Sequence, residues 1–464
     1  MHDLDPARPS EETAIHDRDP VLVDLALAVA RDELTTVKPL RSPAPAAEIY
    51  GALAGSISDG GIGAQQAIDL LRDVVGANCM NVSSPNVFAF VPSAATPASL
   101  AADIVLSSMN MIGDWWLEGA GGIAAENHAL AWLCAEVGLG EQAGGVFVSG
   151  ATSGNLSALA AARRWWRSLN PGHARDRLTI ACAQQVHSSV RMVASVLDCD
   201  VLTVEGDKYG RLHADALAAA LDAHRAEGGA PVYAIAATAG TTNLGMVDDL
   251  TGLAALAERE GLWLHVDGAY GGAAVLSREG RRALAGIEHV RSMVVDPHKW
   301  LFAGYDCCAL LYRDVRIARA AFTQTAEYLE AVEVSAEEFN PSDYAVHLTR
   351  RARGVPFWFS LALHGVDAYR AAVDTCLRLA RDFAAAVEAA PHVELFAPTT
   401  LSIVTFTRPG WDRADYQRWS DQHLASGAFF IAVSEFRGRP MLRVCLVNPQ
   451  TTTAQLQGVI DSFA

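Results

Sequence analysis

Short apolar runs set between long alanine-rich stretches give this chain its pattern. Between about Ser93 and Arg313 the runs Gly144 to Ser149, Leu178 to Cys182, Val201 to Val204, Val232 to Thr238, Leu262 to Val266, Ser292 to Val295 and Cys308 to Tyr312 are β-branched or aliphatic, each bounded by Gly, Asp or Asn. Their lengths predict buried strands, and the segments between them carry helical periodicity. Such alternation predicts an α/β fold with a mainly parallel sheet covered by helices, whose ligands sit beyond the carboxyl ends of the strands. Upstream, helical spacing runs over Pro20 to Val37 and Ala64 to Val75, in pieces too small to fold alone, after a polar start that suits a mobile or partner-dependent arm. Downstream, Thr323 to Arg353 is acidic and aperiodic and predicts an exposed loop. Helices over Trp358 to Ala390 with a break near Gly365, strands at Leu401 to Thr407 and Arg443 to Val447, and a helix at Thr452 to Phe463 follow. The expected organisation is an N-terminal arm over residues 1–92, a large α/β domain over 93–355 with a mobile loop at about 323–345, and a small α+β domain over 356–464.

Composition narrows the class. With 464 residues, 51% of them hydrophobic, the chain can bury a large core. Its 36 basic residues against 53 acidic ones argue against nucleic acid as a partner, because phosphate backbones need a basic surface. The eight cysteines lie scattered, without a CxxC pair or a Cys/His cluster at zinc spacing, so no metal site and a reduced, cytoplasmic compartment are expected. No apolar run reaches membrane-spanning length and no signal peptide is visible, so no membrane partner is expected.

Four places where a strand gives way to a loop carry chemistry. In VFVSGATSGNLSAL a strand runs into Ala151 and Thr152 and then a helix; small residues and hydroxyls leave backbone N–H groups free for a phosphate, though a plain N-cap turn would look similar. In LWLHVDGAYGG, Asp267 follows an apolar strand; a carboxylate there can pair with a pyridinium nitrogen or simply cap the next turn. Lys299 sits between His298 and Trp300 directly after the strand SMVV. Lysines normally occupy solvated faces, whereas a Schiff-base lysine needs partial desolvation; a lysine snorkelling over Trp300 is the alternative. His187 follows the strand LTIACA, where an imidazole can stack on a ring or serve as a structural hydrogen-bonder.

Taken together, in this order, these features resemble the fold-type I pyridoxal-phosphate enzymes (aspartate aminotransferase-like) and, more narrowly, the group II amino acid decarboxylases, the aromatic L-amino-acid decarboxylase-like family. SPNVFAFVPS, AENHALAWL, ATAGTTNLGMVDDL, HVDGAYGG, DPHKW and RRARGVPFWF recur in family order from about Ser84 through Arg353. The resemblance implies that Lys299 holds pyridoxal 5'-phosphate as a Schiff base and that Asp267 pairs with the pyridine nitrogen. It implies His187 over one ring face, Ala269 against the other, Thr238 near the ring oxygen or the His187 edge, and Ala151, Thr152 and His298 around the phosphate. It further implies a homodimer with active sites at the subunit interface, and Tyr328 in TAEYLEA as a loop tyrosine that returns a proton after carbon dioxide leaves.

The expected reaction is decarboxylation of an L-amino acid to its amine and carbon dioxide. The alternative is oxygen-dependent decarboxylation with deamination to an aldehyde, in which relatives often replace the loop tyrosine or the stacking histidine; both are retained here. By the same resemblance the side-chain pocket is lined by Val82, Phe90, Val91, Asp114, Trp115 and Thr349. Asp114 suits a polar or basic aliphatic substrate, since a carboxylate beside an apolar ring is costly, while Phe90 and Trp115 leave aromatic surface. Asp296, where some relatives carry Asn, reads as a branch marker.

Overall fold

Aliphatic runs flanked on both sides by amphipathic helices can bury both faces of a strand, and the chain does this repeatedly. The computed structural model describes residues 15–16, 18–323 and 338–464. Within them lies a seven-stranded sheet formed by β1 (Gly144–Val148), β2 (Thr179–Ala183), β3 (Asp200–Val204), β4 (Val232–Thr238), β5 (Trp263–Asp267), β6 (Ser292–Val295) and β7 (Cys308–Tyr312), in the order β1-β7-β6-β5-β4-β2-β3. All pairings from β6 through β3 are parallel, and β7 runs antiparallel between β1 and β6. The carboxyl ends of β1, β2, β4, β5 and β6 therefore share one edge, and all four candidate segments follow strands at that edge.

Alternation along β5 separates the two faces. Leu264 and Val266 enter one apolar cluster and Trp263 the other, beneath the helix Ala151–Leu169. That helix lies close on β6: a Cβ at Gly154 would come within 2.5 Å of Val294 Cγ1.

The chain divides into Met1–Asn81 and Val82–Ala464. The described part of the first holds the helices Pro20–Thr35, Ala46–Leu53 and Ala64–Leu70, the last continuing into a wider turn over Leu71–Val75; the first two bury no side chain. The second also holds a four-stranded antiparallel sheet, β10-β11-β9-β8, made of β8 (Glu394–Leu395), β9 (Ile403–Thr407), β10 (Val433–Phe436) and β11 (Arg439–Cys445). The pattern missed the hairpin of β10 and β11, because β10 carries Ser434 and Glu435 and buries only Phe436. The helices Val355–His364 and Val366–Ala389 part at Gly365, whose φ of 77° is the left-handed conformation that favours glycine.

One expectation is corrected. The segment read as an exposed loop is largely buried over 338–353: Phe339 stacks on Tyr344 at 4.0 Å, Tyr344 and Ala345 join the core, and Arg350 is 3% exposed. Its polar residues are paired inside the protein, which hydropathy alone does not reveal. Residues 324–337, with Tyr328, lie outside the described residues. Among the described residues no helix is long and apolar enough to cross a membrane.

Candidate active site

Lys299 follows β6 in the single helical turn Pro297–Trp300. The turn places residues three apart on one side, so the Lys299 ammonium meets the buried Asp296 carboxylate at 2.8 Å. Burial works against the lysine's charge, but the charge and hydrogen bond of Asp296, with Asp267 adding, outweigh it and hold the pKa above the ordinary lysine value. Trp300 is fully buried and stacks on Tyr270 at 5.4 Å, so the indole anchors the turn and is no platform for a surface lysine. His298 points its Nε2 toward Asp296 at 3.6 Å and donates from Nδ1 to the Cys307 carbonyl at 2.7 Å. Burial holds its pKa below the usual histidine range.

Asp267 closes β5 and is 6% exposed. Its Oδ1 accepts from the Ala269 N–H at 3.1 Å and its Oδ2 from Asn155 Nδ2 at 2.9 Å. Thr238 lies opposite it in register at the end of β4. The Thr238 N–H donates to Asp248 at 2.7 Å; Asp248 is fully enclosed and its pKa is pushed up to about 7 by burial. His187, after β2, caps the helix Ser188–Val196, with Nδ1 accepting from the Ser189 N–H at 3.2 Å. The imidazole has thus both the structural role and an exposed ring; it borders a pocket with Gln184, Thr241, Asn243 and Phe436.

The helix Ala151–Leu169 starts directly after β1, and no side chain caps it. Gly150 at its N-cap has none to offer, so the amides at Ala151 and Thr152 face the same edge as Lys299 and Asp267, with the favourable end of the helix dipole. An uncapped helix N-terminus, a partly desolvated lysine and an oriented carboxylate fit a flat carbonyl cofactor that carries a phosphate and a basic ring nitrogen. Gly268 beside the carboxylate packs against β6, where a Cβ would come within 3.0 Å of the Val294 carbonyl oxygen.

The pocket residues divide. Asp114 is 2% exposed, and burial raises its pKa; its Oδ1 accepts from the Trp115 N–H at 2.9 Å, and its backbone carbonyl from the Ser342 N–H at 3.3 Å. Val82, Val91 and Trp115 are half-buried. Phe90 and Thr349 are exposed in the single chain. Sequence reasoning missed Asn155, Ser189, His265 and Ser292, which form a buried hydrogen-bonded group behind Asp267. The signal was His265, a polar residue at strand spacing before Asp267.

Comparison with known proteins points to the same class of cofactor. The family model described as the pyridoxal-dependent decarboxylase conserved domain matches residues 58–408. An aromatic-L-amino-acid decarboxylase of Bacillus atrophaeus is 32% identical over 415 residues, covering 87% of this chain and 85% of the relative. An L-2,4-diaminobutyrate decarboxylase of Rhizobium meliloti (strain 1021) is 31% identical, covering 83% of this chain and 78% of the relative. The crystal structure of Oryza sativa TDC with PLP and tryptamine superimposes with a TM-score of 0.84 at 25% identity, covering 95% of this chain and 94% of that one.

Proposed function

The chain belongs to the pyridoxal-dependent decarboxylase family, is an enzyme that uses pyridoxal phosphate as a carboxy-lyase, and from that premise we propose that it converts an L-amino acid to its amine and carbon dioxide. The observation that carries this is Lys299 at the end of β6 with Asp267 on the next strand, at the edge where the uncapped helix begins. Bound pyridoxal phosphate supplies an acceptor for the electron pair left at Cα when the carboxyl group departs. Lys299 would hold the cofactor through Nζ, Asp267 would pair with its ring nitrogen, and Ala151, Thr152 and His298 would hold the phosphate. His187 and Ala269 would flank the ring and Thr238 would lie at its edge. Tyr328 is assigned the returning proton on sequence alone.

Relatives that act on aromatic and on diaminobutyrate substrates are about equally similar, so the side chain accepted is aromatic or polar to basic aliphatic. Asp114, Phe90, Val91, Trp115 and Thr349 are the pocket residues of this reading. A homodimer with interfacial sites is its working unit, tested by sedimentation. The eight unpaired cysteines support a reducing, cytoplasmic setting.

The test is to incubate the protein with pyridoxal phosphate and a panel of aromatic and basic L-amino acids, and to measure carbon dioxide, amine, ammonia and peroxide. Amine equal to carbon dioxide without peroxide is expected. Aldehyde with ammonia and peroxide would overturn this in favour of the oxygen-dependent reaction. Lys299→Ala should abolish the visible absorbance of the bound cofactor. If a cationic side chain is accepted, Asp114→Asn should lower its kcat/KM by about tenfold or more and leave aromatic substrates unaffected.

A further inference from the structure

Trp263, His265 and Asp267 alternate along β5, so all three point to the face beneath the helix Ala151–Leu169. They are linked by hydrogen bonds whose direction is set by the Asp267 carboxylate, which can only accept. The Trp263 indole N–H can only donate, and it does so to Ser292 Oγ at 2.8 Å. The same hydroxyl lies 2.8 Å from His265 Nδ1 and has its own hydrogen to donate there. With Nδ1 accepting, the neutral imidazole carries its hydrogen on Nε2 and donates to Asn155 Oδ1 at 2.9 Å. The amide faces as the carboxylate requires: Nδ2 turns to Asp267 Oδ2 at 2.9 Å and to Ser189 Oγ at 3.0 Å, which leaves Oδ1 to accept from His265. His187 is one link further, with Nδ1 at 2.9 Å from the same hydroxyl.

Trp263, Ser292, His265 and Asn155 are each at most 1% exposed. Burial pulls the pKa of His265 down against the nearby Asp267 charge, which keeps the imidazole neutral. A protonated ring would present a hydrogen at Nδ1 and break the order. An amide turned the other way would set its oxygen against the carboxylate. Aligned bonds in a medium of low dielectric also polarise one another.

We propose that His265 and Asn155 are positioning residues for Asp267, members of a one-way hydrogen-bond chain from Trp263 that turns an N–H to the carboxylate and fixes its plane for the cofactor's ring nitrogen. The proposal rests on the assignment of Asp267 to that nitrogen. It makes the three alternate residues of β5 one device, in which the outermost member acts on the site without touching it.

The experiment compares His265→Leu, His265→Gln and Trp263→Phe with the unaltered protein. Dialysis of the cofactor-free protein gives the affinity for pyridoxal phosphate, a pH titration of the bound cofactor's absorbance gives a midpoint, and Tm gives stability. A hydrogen bond to a charged group is worth about tenfold to a hundredfold in affinity, and a loss of that size with a displaced midpoint is expected for His265→Leu. His265→Gln can still donate to Asn155 and accept from Ser292, so it should recover most of the affinity and the midpoint. Trp263→Phe removes one N–H and keeps a ring against Trp165, and should move the midpoint the same way by less. Equal losses in the Leu and Gln variants, or an unchanged midpoint in Trp263→Phe, would overturn the chain even if His265→Leu does not fold. Failure of Asp267→Asn to change affinity or midpoint would overturn the underlying assignment instead.

Discussion

At the scale of single residues, the most informative contact is between Lys299 and Asp296. The sequence displayed Lys299 because a lysine between His298 and Trp300 at a strand end is rare, and displayed Asp267 because it closes an apolar strand within HVDGAYGG. Asp296 read only as a variant beside a motif; the helical turn makes it the partner of the lysine ammonium. Capture of the cofactor's aldehyde needs a neutral amine, and Asp296 favours the charged one. Asp296→Asn should therefore lower the pH at which the cofactor-free protein captures pyridoxal phosphate. The rate at which cofactor absorbance appears, followed against pH, measures this, and a midpoint that stays in place would count against it.

At the scale of elements, each strand of the large sheet lies within a residue or two of its expected span, since aliphatic runs with Gly or Asp at their ends have few other stable conformations. The close approach of helix Ala151–Leu169 to β6 was not legible, because it depends on which residue Gly154 meets. Gly154→Ala forces a methyl toward Val294, itself fully buried, so the helix must lift from the sheet. We expect a destabilisation of about 1–3 kcal/mol, as for overpacking elsewhere. The same helix carries Asn155 and the turn proposed to hold the phosphate, so weaker retention of pyridoxal phosphate should accompany the fall in Tm. Dialysis alongside thermal unfolding separates the two effects.

At the scale of the whole molecule, buried polar pairs join distant parts of the sequence. Arg350 is clamped by both oxygens of Glu126 at 2.5 and 2.6 Å and donates to the Gly113 carbonyl at 2.6 Å, tying 338–353 to helix Trp116–Val137. Glu126→Ala leaves the guanidinium buried without its partner and should cost about 3–5 kcal/mol in denaturant unfolding. Acid should weaken the fold through histidine. Burial, with the Arg350 charge adding, lowers the pKa of His347 to about 4, against 6.5 for an ordinary histidine. Between those values the unfolded chain binds the extra proton, so this contribution is complete above about pH 6.5 and is lost as pH falls toward 4. His347→Gln should reduce the loss of stability over that interval by on the order of 2 kcal/mol, read from unfolding curves at several pH values.

The sequence by itself determined the alternation of strand and helix, the strand edge shared by the four candidate segments, and the lysine and carboxylate proposed to take the cofactor. These follow from local periodicity and from residue types whose placement after a strand has few alternatives. Only the tertiary structure decided that Asp296 faces Lys299, that Arg350 lies buried against Glu126, and that Asn155 and His265 stand behind Asp267. Each is a polar residue whose partner lies across a turn, a helix or a neighbouring strand, and a buried polar group is stable only where such a partner reaches it. Periodicity identifies which face a residue occupies, whereas the group it meets there depends on how helix and sheet pack.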